Sequence, residues 1–154
     1  MKKLILPILL LFTIGTYSVC YSQIKVPEKV SKAFNKKFPH AQKVKWGMEN
    51  VHEYEADFVN KGQQMSANFK TNGIWVETEQ DISASALPTT VRDAVNHDYK
   101  GAKIKGAARV QNPNGERYEI DAEVKEDNME LVYSTRGKLL SHSVIKDNDE
   151  GDGD

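Results

Sequence analysis

The chain has 154 residues, 28% of them charged and 39% hydrophobic, which is globular composition and enough for one ordinary domain or two small ones. With Lys2, Lys3 and the terminal acids Asp147, Asp149, Glu150, Asp152 and Asp154 set aside, the body carries 19 basic and 17 acidic residues. So balanced a body has no basic stripe for a phosphate backbone, and no nucleic-acid partner is expected.

Lys2 and Lys3 precede an apolar run from Leu4 to Ile14, followed by small and polar residues. This is the layout of a secretory signal peptide, and it is too short to span a membrane. Cleavage after Ser22 is expected, making residues 1–22 a leader and leaving a chain from Gln23 with no transmembrane segment and a periplasmic or secreted address. Cys20 is the single cysteine. Tyr17-Ser18-Val19 before it is a poor lipobox, so loss of Cys20 with the leader is favoured over a lipid anchor there. The exported chain then has no thiol for a disulfide, a metal or nucleophilic catalysis.

Val26-Pro27 opens a helical pattern in which Val30, Ala33, Phe34 and Phe38 make one apolar face, and Pro39 ends it. Leu87-Pro88 with Val91, Ala94, Val95 and Tyr99 repeats the design at an offset of 61, closed by Gly101. Strand-like runs follow each helix, at about 43–48, 52–60, 63–71 and 74–80, then at about 103–111, 116–125, 129–135 and 138–145. Met65 to Val76 returns as Met129 to Leu140 at an offset of 64, and Asn72-Gly73 inside it predicts a type I′ hairpin turn. Short connections make each set of strands an antiparallel meander whose apolar face its helix covers.

The predicted class is therefore α+β: two tandem repeats, residues 23–82 and 83–146, each a helical segment packed on a four-stranded antiparallel β-meander. Together they are expected to form one extended antiparallel sheet with the helices on one face. Tyr54, Ala56 and Phe58 should point inward with Met65, Ala67 and Phe69, and Tyr118, Ile120, Ala122 and Val124 with Met129, Leu131 and Tyr133. On the other face Lys43, Lys45, Lys103, Lys105 and Arg109 should meet Glu53, Glu55, Asp57, Glu119, Asp121 and Glu123 in cross-strand ion pairs, each worth roughly 0.2–1 kcal/mol. Residues 147–154 have no apolar side chain and read as a disordered acidic tail that lacks the glycine and glutamate spacing of an EF-hand loop.

The ordered motifs Val26 to Ala41, Lys43-Val-Lys-Trp46, Tyr54-Glu-Ala-Asp-Phe58 and Thr71 to Glu79 resemble the PepSY-like, beta-lactamase-inhibitor-protein-like domains of secreted bacterial proteins. The resemblance covers about residues 26–145. It implies two tandem helix-on-sheet units and an extracytoplasmic binding or inhibitory role, and it brings no catalytic residue. The second copy departs from the pattern, with Leu139 in place of the hairpin Trp and Gly106-Ala107 in place of Lys-Trp.

His52-Glu53-Tyr54-Glu55-Ala56 has Ala where a zinc-protease helix needs its second His, and the four histidines lie far apart, so neither metal nor cofactor is expected. Glu55/Asp57 and Glu119/Asp121 share a strand face, where ion pairing outweighs acid–base catalysis. Two registers are open for Trp75. In one it lies on the open face with Glu77 and Glu79 as an interface anchor, and in the other it is core, matched by Leu139. Trp75, Glu77, Glu79, Glu55 and Asp57 are the candidate partner-binding residues. The function read from the sequence is an exported, non-enzymatic module binding an extracytoplasmic protein or peptide, with inhibition of a secreted or periplasmic hydrolase as one form of it. The alternatives are a surface or calcium-associated structural protein acting through the tail, and a carboxylate-dependent enzyme.

Overall fold

Proline starts both helices. Pro27 and Pro88 hold extended conformations at φ −60° and −54°, and their carbonyls accept the first helical hydrogen bonds, from Val30 at 3.0 Å and Val91 at 3.0 Å. The helices α1 (Glu28–Lys37) and α2 (Thr89–Asp98) end alike, at Phe38 and Tyr99, whose N–H groups donate to the carbonyls of Phe34 and Val95. The computed structural model describes residues 24–145; the expected leader with Cys20 and the acidic tail from Asp147 lie outside the described residues.

The strands are β1 (Gln42–Asn50), β2 (Glu53–Asn60), β3 (Gln63–Lys70), β4 (Trp75–Asp81), β5 (Lys103–Asn112), β6 (Gly115–Val124), β7 (Asp127–Ser134) and β8 (Leu139–Val144). They form one eight-stranded sheet in chain order, each strand antiparallel to the next. The fold is thus α+β, with two helices and a single antiparallel sheet.

Two apolar clusters carry the packing. Val30, Phe34 and Phe38 of α1 meet Ala56, Phe58, Ala67 and Phe69, with Trp46, Tyr54, Met65 and Trp75 packed around them. Phe34 is the hub: its ring lies 5.0 Å from Phe58, 5.2 Å from Trp46, 5.4 Å from Phe38 and 6.1 Å from Phe69, three of these contacts edge-on. Leu87, Val91 and Val95 gather with Tyr118, Ile120, Ala122, Leu131 and Tyr133 in the second cluster. All the strand residues expected to point inward do so.

Turn chemistry corrects one expectation. Lys61-Gly62, both at positive φ (51° and 81°), form a two-residue turn between the paired Asn60 and Gln63. At Asn72-Gly73 only Gly73 is at positive φ (86°), and the turn is a three-residue loop closed by Gly73 N–H to the Lys70 carbonyl and Lys70 N–H to the Ile74 carbonyl, both 2.8 Å. The Asn72 carboxamide oxygen accepts the Ile74 N–H at 3.1 Å, so Asn72 stabilises the turn through its side chain and has no need of a left-handed backbone. Ser134 to Lys138 repeats the loop, with Gly137 at φ 75°. Space also requires these glycines. A Cβ on Gly73 would lie 2.6 Å from the Lys29 carbonyl oxygen, and one on Gly137 2.6 Å from that of Thr90. Each hairpin tip therefore presses its backbone against the first turn of a helix.

Past the loop, Asn68 pairs with Glu77 but Phe69 pairs with Trp75, so Val76 is an extra residue, a β-bulge. Leu140 is its equivalent between β7 and β8. The bulge decides the Trp75 question. Glu77 and Glu79 stay on the polar face, whereas Trp75 is turned to the side of Phe69 and joins the α1 cluster.

Candidate binding face

The residues that alternate with the clustered ones make a polar face, and the strand register fixes its rows. One row runs Gly47, Glu55, Asn68, Glu77, and the next runs Lys45, Asp57, Ser66, Glu79, Val110, Arg117. A third runs Asp81, Ala108, Glu119, Val132, and a fourth Gly106, Asp121, Glu130, Ser143.

The expected cross-strand neutralisation fails across most of this face. Bulges between Gln42 and Lys45, where Lys43 takes φ 54°, and between Ile104 and Gly106 slide β1 against β2 and β5 against β6 by one residue each. Gly47 then stands opposite Glu55 and Gly106 opposite Asp121, and neither glycine has a side chain to offer. Lys103 and Lys105 both fall on Glu123, at 2.6 and 2.8 Å, and hold its carboxyl down to about 2. Arg109 lies opposite Tyr118, on the cluster side, and donates to Gln80 at 2.8 Å. Among the described residues, Glu55, Asp57, Glu79 and Asp121 enter no ion pair.

One cation serves the middle of the face. Arg117, its side chain 18% exposed, donates to Glu77 at 2.9 Å and to Glu119 at 2.8 Å from Nη2, and to Glu119 at 3.0 Å from Nε. Glu79, between them, has no donor of its own. Burial, with Glu119 and Glu77 nearby, pushes its carboxyl up to about 8 against the pull of Arg117. Burial, then Asp57 and Glu49, pushes Glu55 up to about 7. Asp57 and Asp121 are also raised, chiefly by burial. Between Glu55 and Glu77 lies Asn68, only 7% exposed, whose carboxamide oxygen is buried with no hydrogen-bond partner.

Four of the five candidate residues, Glu55, Asp57, Glu77 and Glu79, are thus brought together on β2 and β4. Trp75 is not among them. Its indole N–H donates to Thr78 at 3.0 Å and the Lys37 ammonium sits 3.5 Å from its ring centroid, so it joins the sheet to the end of α1. Sequence reasoning missed Asn68 and Arg117. The available signal for Asn68 was its alignment with Val132 in the later copy, an amide where an apolar residue is tolerated. Among the described residues no group of three or more His, Cys, Asp or Glu converges to hold a metal ion, and no helix is long and apolar enough to cross a membrane.

An eight-stranded antiparallel meander, with its helices packed by apolar clusters and an acceptor-rich polar face, defines a sheet-faced α+β module. A family model described as "Putative beta-lactamase-inhibitor-like, PepSY-like" matches residues 16–65 and 52–141, and the chain belongs to this family. Similar solved structures include a BLIP-like protein from Bacteroides fragilis, at 23% identity and TM-score 0.71 over 81% of this chain and 91% of that one. A DUF2874 family protein from Bacteroides ovatus matches at 26% identity and TM-score 0.70, over 77% of this chain and 86% of that one. A protein from Bacteroides eggerthii, described as "putative periplasmic", matches at 22% identity and TM-score 0.71 over 78% and 89%. No curated protein matches the chain.

Proposed function

We propose that the chain is an exported, non-enzymatic module that binds a protein or peptide outside the cytoplasm through the polar face of its sheet. The observation that carries this reading is the excess of acceptors there: among the described residues Glu55, Asp57 and Glu79 enter no ion pair, and the Asn68 carboxamide oxygen accepts no hydrogen bond. A buried acceptor left without a donor, as at Asn68, is costly, and a partner that brings a donor removes that cost. The leader-like N-terminus and the family's inhibitor-like description support the address and the non-catalytic role. In this reading the chain is two tandem copies of one helix-and-meander unit, both helices on the same face, which leaves the other for the partner. The matched turns at Gly73 and Gly137 and the matched bulges at Val76 and Leu140 support the duplication. Inhibition of a secreted hydrolase is one form such binding takes.

The test is capture from the source cell's envelope and culture supernatant by the native chain, by a Glu55→Lys, Asp57→Lys variant, and by a Lys36→Glu variant altered on the exposed side of α1. A partner held by the native chain and the helix variant but lost by the sheet variant is expected. A partner lost only by the helix variant would remove the polar face from the argument. A second reading, carboxylate catalysis, is favoured by the raised carboxyls of Glu55 and Glu79. It requires an envelope activity that disappears with Glu55→Gln or Glu79→Gln at unchanged stability.

A further inference from the structure

We infer that the partner is cationic, and that the face of β2, β3 and β4 seats a guanidinium or ammonium side chain of a peptide or protein over Asn68, between Glu55 and Glu77. This rests on the binding reading above and gives the partner its chemistry.

Three observations converge. Asn68 is more than nine-tenths buried, lies on the polar face with Glu55 and Glu77 beside it in register and Asp57 and Glu79 in the adjoining row, and has an enclosed carboxamide oxygen with no hydrogen-bond partner. That oxygen takes a hydrogen bond only from a donor, and no group among the described residues supplies one. The cations facing this patch are few. Lys45, opposite Asp57, makes no ion pair, and Arg117 is already spent on Glu77 and Glu119. The chemistry of the patch suits an organic cation. Glu55 and Glu77 flank Asn68 from the strands on either side, their backbones roughly 10 Å apart across two strand spacings, and the group between them is a neutral amide, not a third carboxylate. A planar guanidinium with five donors spans such a gap, donating to carboxylates at its edges and to the amide oxygen at its centre. No metal-holding group of His, Cys, Asp or Glu exists among the described residues. The electrostatics agree: burial first and neighbouring acids second raise the carboxyl of Glu55 to about 7 and that of Glu79 to about 8, and Arg117 offsets only part of the rise at Glu79. An incoming cation should expel the protons held there.

The test is calorimetric titration of the whole protein at pH 7.5 with acetyl-Gly-Arg-Gly-Arg-Gly-amide, with its citrulline counterpart, which keeps the shape and loses the charge, and with calcium chloride. The arginine peptide should bind at least about tenfold more tightly than the citrulline peptide, since one charged hydrogen bond accounts for that ratio. Asn68→Val and Glu55→Gln, each checked for an unchanged fold by circular dichroism, should weaken it about fivefold or more, and Lys36→Gln should not. Heats that differ between phosphate and Tris buffers should report proton release. Equal binding of the citrulline peptide overturns the cationic assignment while leaving a binding face in place. Calcium that displaces the peptide and is lost in the same variants replaces the side-chain seat with a metal seat. No arginine-peptide binding at millimolar concentration also overturns the inference, and the broader reading then stands or falls on envelope capture alone.

Discussion

The two halves of the sheet solve the same backbone problem and different side-chain problems. Asn68 lies between Glu55 and Glu77, and 64 residues on, at the same place in its own meander, Val132 lies between Glu119 and Ser141. Glu53 in the first half corresponds to Arg117 in the second, which binds Glu119. The second half is therefore largely self-sufficient: its central acid has an arginine and its central buried position is apolar. The first half has no arginine of its own, draws on Arg117 for Glu77 alone, and places a buried amide among its acids. The backbone pattern is shared while the chemistry of the face differs, and the unmet demand for donors lies in the first half, where the proposed partner would bind.

The cores diverge as well, and the largest expected effect lies there. Phe34 is the hub of four aromatic contacts, whereas Val95 occupies an aliphatic cluster beside Tyr133. Phe34→Ala should cost about 4 kcal/mol and Val95→Ala about 2 kcal/mol, because the larger ring leaves the larger cavity. Urea denaturation of the two variants checks this, and equal losses would show that the aromatic cluster confers no special weight on the first half.

The hairpin tips should behave alike where the cores do not. Gly73→Ala and Gly137→Ala each place a Cβ 2.6 Å from a helix carbonyl at φ above +70°, so each should lose about 2 kcal/mol. A loss confined to one of them in thermal melts would break the equivalence of the two turns.

These elements also show how far the sequence could be read. Alternation in Tyr54-Glu55-Ala56-Asp57-Phe58 and in Tyr118 to Val124 named the clustered faces residue by residue, because the strand period admits no intermediate setting. Pro27 and Pro88 placed the helix starts, and Gly73 marked the turn that touches a helix. What the sequence hid was the bulges. One additional residue at Val76 leaves alternation intact on either side and reverses the face of Trp75. The slips near Lys43 and Lys105 likewise replaced expected Lys–acid neighbours by Gly47 and Gly106, and with those pairs went the picture of an internally neutralised surface. Whether Asn68 has a partner depends on atoms from three strands, and no local pattern records that.

Acidity separates the halves next. Glu79 faces Ser66 on β3 and Val110 on β5, with Glu77, Glu119 and Glu55 repelling it and Arg117 attracting it. Its folded carboxyl is raised from 4.5 to about 8, and that of Glu55 from 4.5 to about 7, so the folded protein binds more protons than the unfolded chain inside those windows. Stability should be greatest below about pH 4.5 on this account and fall as pH rises toward 7 and 8. Glu123, held down to about 2, acts in the opposite sense and only at lower pH. Glu79→Gln should flatten the decline between pH 5 and 8 by an amount on the order of 2 kcal/mol, after discounting for its partial exposure. An unaltered pH profile would mean that Glu79 is ionised throughout and that Arg117 outweighs burial.

The smallest effect is the one that bears most directly on the difference between the halves. Asn68→Val transplants the second half's solution into the first, removing a buried acceptor that has no donor and leaving an apolar side chain that Val132 shows to be compatible with the same setting. Deleting an unsatisfied carbonyl relieves its desolvation cost, so the variant should be about 1 kcal/mol more stable than the native chain in urea. The reciprocal Val132→Asn should lose a similar amount, since Glu119 beside it already has Arg117 as its partner. Were Asn68→Val destabilising instead, the amide would be meeting a need within the fold, and the first half's demand for external donors would shrink to its carboxylates. A gain in stability joined to a loss of cation binding is the pattern of a residue kept for recognition at the expense of the fold.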